Sequence, residues 1–398
     1  MTSLPILIAG AGIGGLTTAI ALARRGIPLI VCEKRTRFHE VGAGIQVSPN
    51  AGRVLESLDL GLALRRIAVR PDRLEIRHWN GNDVLTMPFS AGPADQTPFR
   101  TVKRADIHQI LLDAARTMPN IRWLIGRGLA EVKDEGDHLD VTLASETGQT
   151  ETMQVMGLVG ADGAWSRSRV LAGDARPPRF TGWEAWRTLV PVAGLPASLR
   201  AAKVTLQLGR ARHAVYYPVA SGQEINLVII RGARHGQDGW SRPGQAQELS
   251  ATLSHACGDL RRLVADAPAW HVWSLHDRPP TAMANGRIAL LGDAAHPVLP
   301  FLAQGAGLAI EDAAVLADAL SHRLAEGGAA ALPAAFAAYA AARAQRAARM
   351  QETSRNNGSA YHLAKPWSYA RDMVLRRLGP DGLRQRHAWV YDWMPPAG

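Results

Sequence analysis

Apolar positions along the chain fall into two kinds of pattern. Short runs at Pro5–Ala9, Ile27–Cys32, Leu158–Ala161 and Ile288–Leu291 are almost free of polar residues, as strands buried on both faces require. Residues 72–78, 204–208, 213–219 and 224–231 are enriched in Val, Ile and aromatic residues between Gly or Pro breaks, and predict a separate sheet over one face of the first layer. Leu16–Arg25 is Ala-rich and reads as a helix stopped by Gly26. Leu308–Leu320 reads as a helix too, and Ile310–Met350 as two helices broken around Gly327-Gly328 and Pro333. The order of these elements predicts an α/β fold, and no internal repeat is present.

The turn after the first strand carries chemistry. Gly10, Gly12 and Gly15 fit G-x-G-x-x-G between a strand and a helix, with Gly14 beside them, and Glu33 ends the second strand about twenty positions on. Gly10 permits the tight turn, Gly12 lets a pyrophosphate reach the backbone, and Gly15 lets helix and strand pack closely. The helix N-terminus then faces the phosphates. Two later strands each deliver a carboxylate beside glycine at their C-terminal ends, Asp162-Gly163 and Gly292-Asp293, where a parallel sheet binds ligands. Asp293 is positioned to accept from a ribityl or ribose hydroxyl.

Composition narrows the class. Of 398 residues, 47% are hydrophobic and 20% charged, which excludes a natively disordered chain. The two cysteines, Cys32 and Cys257, make neither a disulfide framework nor a zinc site, so a reducing cytoplasm is the expected setting. Residues 4–23 are uncharged, but glycines interrupt them and Met1–Pro5 offers no basic leader, so neither a membrane span nor a signal peptide is expected. The formal charge of +10 comes with only five lysines among 45 basic residues and with no nucleic-acid-binding motif. Nucleic acid is therefore not an expected partner, and steering of anionic small molecules accounts for the charge. No H-E-x-x-H helix, G-x-S-x-G elbow or metal-ligand spacing occurs, and no metal is expected.

Taken in order, Gly10–Gly15 with Glu33, Asp162-Gly163, and Gly292-Asp293 running into His296-Pro297 with Pro300, Gln304, Gly305 and Gly307 resemble the single-component FAD-dependent aromatic hydroxylases, a flavoprotein monooxygenase family. The resemblance covers nearly the whole chain. Gly42–Ala51 and Arg104–His108 look like the segments that cover the flavin. His213–Pro218 and Trp389–Asp392 are similar to the branch containing salicylate hydroxylase, 3-hydroxybenzoate 6-hydroxylase and 6-hydroxynicotinate 3-monooxygenase. Lys103 departs from the histidine of many relatives.

The resemblance implies a Rossmann-like FAD-binding domain with an inserted β-sheet substrate domain and a helical C-terminal region. Residues 1–70, 101–175 and 281–345 would form the first, 71–100 and 176–280 the second, and 346–398 the third. FAD would be held by Gly10, Gly12, Gly14, Gly15, Glu33, Lys34, Arg35, Gly44, Ile45, Gln46, Arg104, Asp162, Gly163, Gly292, Asp293, Pro300, Gly305, Ala306 and Gly307. NADH or NADPH would bind transiently as reductant, since no second G-x-G-x-x-G unit is present. A flavin hydroperoxide would then attack an electron-rich ring, in a pocket that excludes water and supplies a base.

His213 and Tyr217, four apart on a strand, share a face, and the resemblance makes them the expected catalytic pair, with Pro300 at the reactive face and Gln304 as a polar partner. From spacing alone, His213 reads first as a hydrogen-bonded core histidine, and it is the resemblance that moves it to the pocket. Tyr216 faces the other way and should pack. Arg187 is either a fork for a substrate carboxylate or half of a structural salt bridge, and His296 before proline reads as structural or as a base. The substrate partners are then a small hydroxyaromatic carboxylate, salicylate- or 3-hydroxybenzoate-like, and dioxygen, with a homodimer as the assembly usual among such relatives. Two further readings stay open: a monooxygenase or epoxidase of a larger neutral polycyclic or isoprenoid substrate, and a non-catalytic flavin-binding interaction module.

Overall fold

A computed structural model describes residues 4–37, 43–89, 97–236 and 241–396. The chain opens with β1 (Ile6–Ala9), α1 (Ile13–Ala23) and β2 (Leu29–Glu33), then β3 (Gly44–Val47) and α2 (Pro49–Ser57), and leaves this layer for β4 (Arg73–His78) and β5 (Asp83–Pro88). It returns through β6 (Arg100–Lys103), α3 (Arg104–Arg116), β7 (Ile121–Ile125), the antiparallel strands β8 (Gly128–Asp134), β9 (Leu139–Ala144) and β10 (Thr150–Val155), and β11 (Gly157–Gly160). A second excursion comprises β12 (Arg179–Pro191), β13 (Lys203–Gly209), β14 (Arg212–Val219), β15 (Glu224–Gly232), β16 (Arg242–Gly244) and β17 (Trp270–Asp277). The last return is β18 (Ala284–Asn285) and β19 (Ile288–Leu290), followed by α4 (Gly305–Gly327), α5 (Leu332–Tyr361) and α6 (Trp367–Tyr391).

The first sheet runs β18-β19-β11-β1-β2-β7, parallel except for β18. Its strands are the apolar runs of the sequence, and β1 and β11 are fully buried. All three glycine- or carboxylate-bearing turns leave this sheet at the same end, because β1, β11 and β19 are neighbours in register. The second sheet has eight strands in the order β16-β17-β12-β15-β14-β13-β4-β5 and collects both excursions. One of its faces packs Trp186, Tyr216, Leu227 and Ile229 into a core of their own, so Tyr216 is a packing residue, as expected. The opposite face carries the alternate residues and looks toward the first sheet.

Helices α4 and α5 close the back of the nucleotide layer and are separated at Gly327-Gly328, with Pro333 at the start of the second. Their contact is ionic as well as apolar: Arg343 reaches Glu311 and Asp312 at 2.7 Å each, with all three groups buried. Helix α5 passes through residue 345 without a break, so the division expected there falls inside a helix. No described helix is long and apolar enough to cross a membrane.

Candidate functional site

A cleft of about 1030 Å³ lies between the strand ends of the first sheet and the open face of the second. At its floor, Gly10 has φ +105°, and a Cβ there would meet the Ala161 carbonyl oxygen at 2.5 Å. Gly15 is equally constrained, since its Cβ would lie 2.0 Å from the Gly10 oxygen; this is the close helix–strand packing expected of it. Gly12 differs: nothing lies within 4 Å of its Cβ direction, and it opens onto the cleft at the N-terminus of α1. A phosphate approaching there would find backbone amides and the positive end of the helix. Glu33 lines the same floor, accepting from the Ala11 amide through one carboxylate oxygen and from the Arg35 amide through the other, each at 3.0 Å. These are the features a dinucleotide needs, and the residues present fit FAD.

Gly14, Lys34, Arg35, Ile45, Gln46, Arg104, Gly163, Gly292, Asp293, Pro300, Gly305 and Ala306 also border the cleft. Asp293 is open to the cleft and enclosed elsewhere. That enclosure raises its pKa above the ordinary carboxylate value, against the pull of His296, Arg104 and Arg187. Asp162 borders the cleft too, but its oxygens accept from the Ser166 hydroxyl and the Arg167 and Ser168 amides, so its carboxylate organises the turn after β11. Gly42 lies outside the described residues.

Two expectations need correction, and one open reading is resolved. Gln304 does not face the cleft: it is buried, its side-chain nitrogen donates to the Ser48 hydroxyl at 3.0 Å and its side-chain oxygen accepts from Asn50 at 3.2 Å, joining α4 to α2. Gly307 is not at the cleft either; a Cβ there would meet the Gln304 carboxamide oxygen at 3.0 Å, so it makes room for that junction. His296 is held by Asp312 at 2.7 Å in the buried ionic cluster and is structural. Burial works against the Asp312 carboxylate, but His296 and Arg343 outweigh it and hold the group at about 2.

The wall over the floor is the open face of the second sheet. His213 pairs with Ile230 and Tyr217 with Asn226, so the two side chains emerge on one face with Val215 between them, as alternation requires. Arg187 lies in the cross-strand row that contains Val228 and Val215, which brings its guanidinium into the same cleft. Burial pushes the Tyr217 phenol above its ordinary value, partly offset by Arg187 and a hydrogen bond with Gln46. Burial, with His362 nearby, pushes His213 well below the usual histidine value, so it stands neutral with one ring nitrogen left as a hydrogen-bond acceptor.

Arg187 resolves its two readings. Among the described residues no carboxylate forms a salt bridge with it, its Nε is buried without a hydrogen-bond partner, and the guanidinium lies 4.9 Å from the Trp273 ring centre. Its side chain lines the cleft, with no salt bridge among the described residues and its Nε left unsatisfied at the cleft wall. Sequence reasoning missed Asn226, Trp273, Phe301, Tyr361 and His362. Trp273, Phe301 and Tyr361 line the cleft, whereas Asn226 and His362 bear on it through Gly44 and His213.

Fold and cleft together define a flavin-type nucleotide-binding oxidoreductase with its reaction chamber roofed by a β-sheet. Residues 3–354 match the family model described as FAD binding domain. The chain belongs to that family, in the single-component FAD-dependent aromatic hydroxylases of the salicylate hydroxylase and 3-hydroxybenzoate 6-hydroxylase branch, and it is an FAD-dependent monooxygenase of small aromatic substrates. It is 34% identical over 392 residues to 3-hydroxybenzoate 6-hydroxylase of Klebsiella oxytoca, covering 97% of this chain and 96% of that one. It is 35% identical over 408 residues to 3-amino-4-hydroxybenzoate 2-monooxygenase of Streptomyces platensis, covering 97% and 95%. A salicylate hydroxylase substrate complex superposes with a TM-score of 0.81 at 26% identity, covering 99% of this chain and 96% of that one.

Proposed function

We propose that the protein uses NADH or NADPH to hydroxylate a small hydroxyaromatic carboxylate, salicylate- or 3-hydroxybenzoate-like, in a cytoplasmic setting. The observation that carries this reading is the meeting of His213, Tyr217 and Arg187, which has no salt bridge among the described residues, on one sheet face above the nucleotide cleft. Bound FAD supplies the activated oxygen. The chain's own residues supply the rest: Arg187 takes the ring carboxylate, Tyr217 donates to a ring substituent, and neutral His213 takes the hydroxyl proton, which makes the ring electron-rich. The surrounding sheet and the Pro300 turn exclude water. The reading rests also on the hydroxybenzoate substrates named for the relatives above.

A second reading, a larger and more neutral substrate, is favoured by one feature. The cleft continues along the sheet as an apolar wall of Leu74, Ile76, Leu206 and Leu208, facing Leu375 and Leu378 of α6. Oxygen and NADH consumption by the FAD-loaded protein separates the two. The first reading expects stimulation by salicylate, 3-hydroxybenzoate, 4-hydroxybenzoate or 6-hydroxynicotinate. No stimulation by any of these, with turnover on polycyclic phenols, transfers the assignment to the second.

A further inference from the structure

His213 is not alone. Its Nδ1 lies 2.8 Å from Nε2 of His362, the residue that ends α5. The second imidazole is fixed by its surroundings: it stacks on Trp183 with ring centres 3.9 Å apart, meets Phe301 edge-on at 5.6 Å, and its carbonyl accepts from the Ala211 amide. His213 is 2% exposed, whereas His362 is only half-buried. Among the described residues neither ring has a carboxylate partner, and the titratable group packed against His213 besides His362 is Tyr361, whose phenol burial keeps protonated.

Two neutral imidazoles sharing one hydrogen bond have linked tautomers. For His213 to accept at Nε2, which is the nitrogen left for the cleft, its Nδ1 must carry the proton and donate to His362. The His362 proton is then on its own Nδ1. We infer that His362 is a positioning and relay residue that conducts the substrate's hydroxyl proton from buried His213 to water. This rests on the reading of His213 as the base. The substrate O–H bond breaks as N–H forms at His213 Nε2; the Nδ1 proton of His213 passes to His362 Nε2; the Nδ1 proton of His362 passes to water. One proton leaves the cleft and no electrons are exchanged. The reverse path returns a proton when the product's oxygen needs one.

The relay is tested without turnover by loading the FAD-bound protein with 3-hydroxy-4-nitrobenzoate, whose phenolate absorbs in the visible, and raising the pH suddenly. His362→Ala and His362→Gln should both form the phenolate at least about tenfold more slowly than the parent, with unchanged probe affinity and end-point absorbance. Added imidazole should restore the rate of the Ala variant. Glutamine keeps a hydrogen bond to His213 but cannot relay, so a parent-like rate in His362→Gln reduces His362 to a packing role and overturns the inference. A parent-like rate in His362→Ala does the same. His213→Ala separates the two levels of the argument. If it ionises the probe as fast as the parent, His213 is not the base and the relay falls with it; if it is slow while both His362 variants are fast, only the relay falls.

Discussion

The Gly44 amide donates to the Asn226 side-chain oxygen across 2.6 Å, pinning the strand that borders the nucleotide cleft to the centre of the sheet that roofs it. The two residues are far apart in sequence, and the contact leaves no room: a Cβ on Gly44 would lie 2.7 Å from both the Asn226 side chain and the Tyr217 ring. Gly44→Ala should therefore shift β3 and weaken FAD binding by on the order of tenfold or more, the scale of overpacking a tight interior. Fluorescence titration of apoprotein with FAD measures it, and an unchanged affinity removes Gly44 from the site.

Arg187 predicts opposite effects on stability and binding. Its buried Nε is unsatisfied and burial disfavours its charge, so Arg187→Met should raise the thermal midpoint while weakening carboxylate-bearing ligands at least about tenfold. Ligands lacking the carboxylate should bind parent and variant alike. Melting curves and ligand titrations provide both numbers, and a lowered midpoint would show that the guanidinium is satisfied within the protein.

The cluster behind the cleft is structural. Arg343→Met removes the buried cation shared by Glu311 and Asp312, leaving Arg346 and His296 as their remaining partners, and should cost up to about 3–5 kcal/mol of stability. Gln304→Leu should also destabilise, by separating α4 from α2, without changing substrate selectivity. Denaturant unfolding and the relative KM values of two substrates check the pair of claims.

Acid should reach the fold through its histidines. Burial holds His362 at about 4 and His213 well below its ordinary 6.5, so the unfolded chain binds protons that the folded chain does not. Their contribution is complete above pH 6.5 and is lost as the pH falls toward 4. The thermal midpoint of the parent should fall more steeply through that window than that of His213→Gln/His362→Gln. Parallel curves would mean that the pair protonates freely in the folded state.

What the sequence revealed follows the range of the interactions. Gly10, Gly12 and Gly15 do in the fold what their spacing requires, because a turn and its helix are set by neighbours. His213 and Tyr217 reach one cleft because strand alternation is local as well. Gln304 did not follow its motif: Ser48 and Asn50, on a segment remote in sequence, turn its side chain inward. Asp162 was readable as a carboxylate at a strand end, yet the Ser166 and Ser168 that follow occupy it first. Arg187 was readable as a fork or a salt bridge but not as one rather than the other, and His362 was not readable at all, since an imidazole arriving from α5 has no local signature.

The most direct test of the account is the product mass formed from 3-hydroxybenzoate and NADH by the FAD-loaded protein under isotopically heavy dioxygen. A dihydroxybenzoate carrying one heavy oxygen atom, formed in step with NADH consumption, is expected. Consumption of NADH with hydrogen peroxide as the sole product, for this and every other hydroxybenzoate offered, would contradict it.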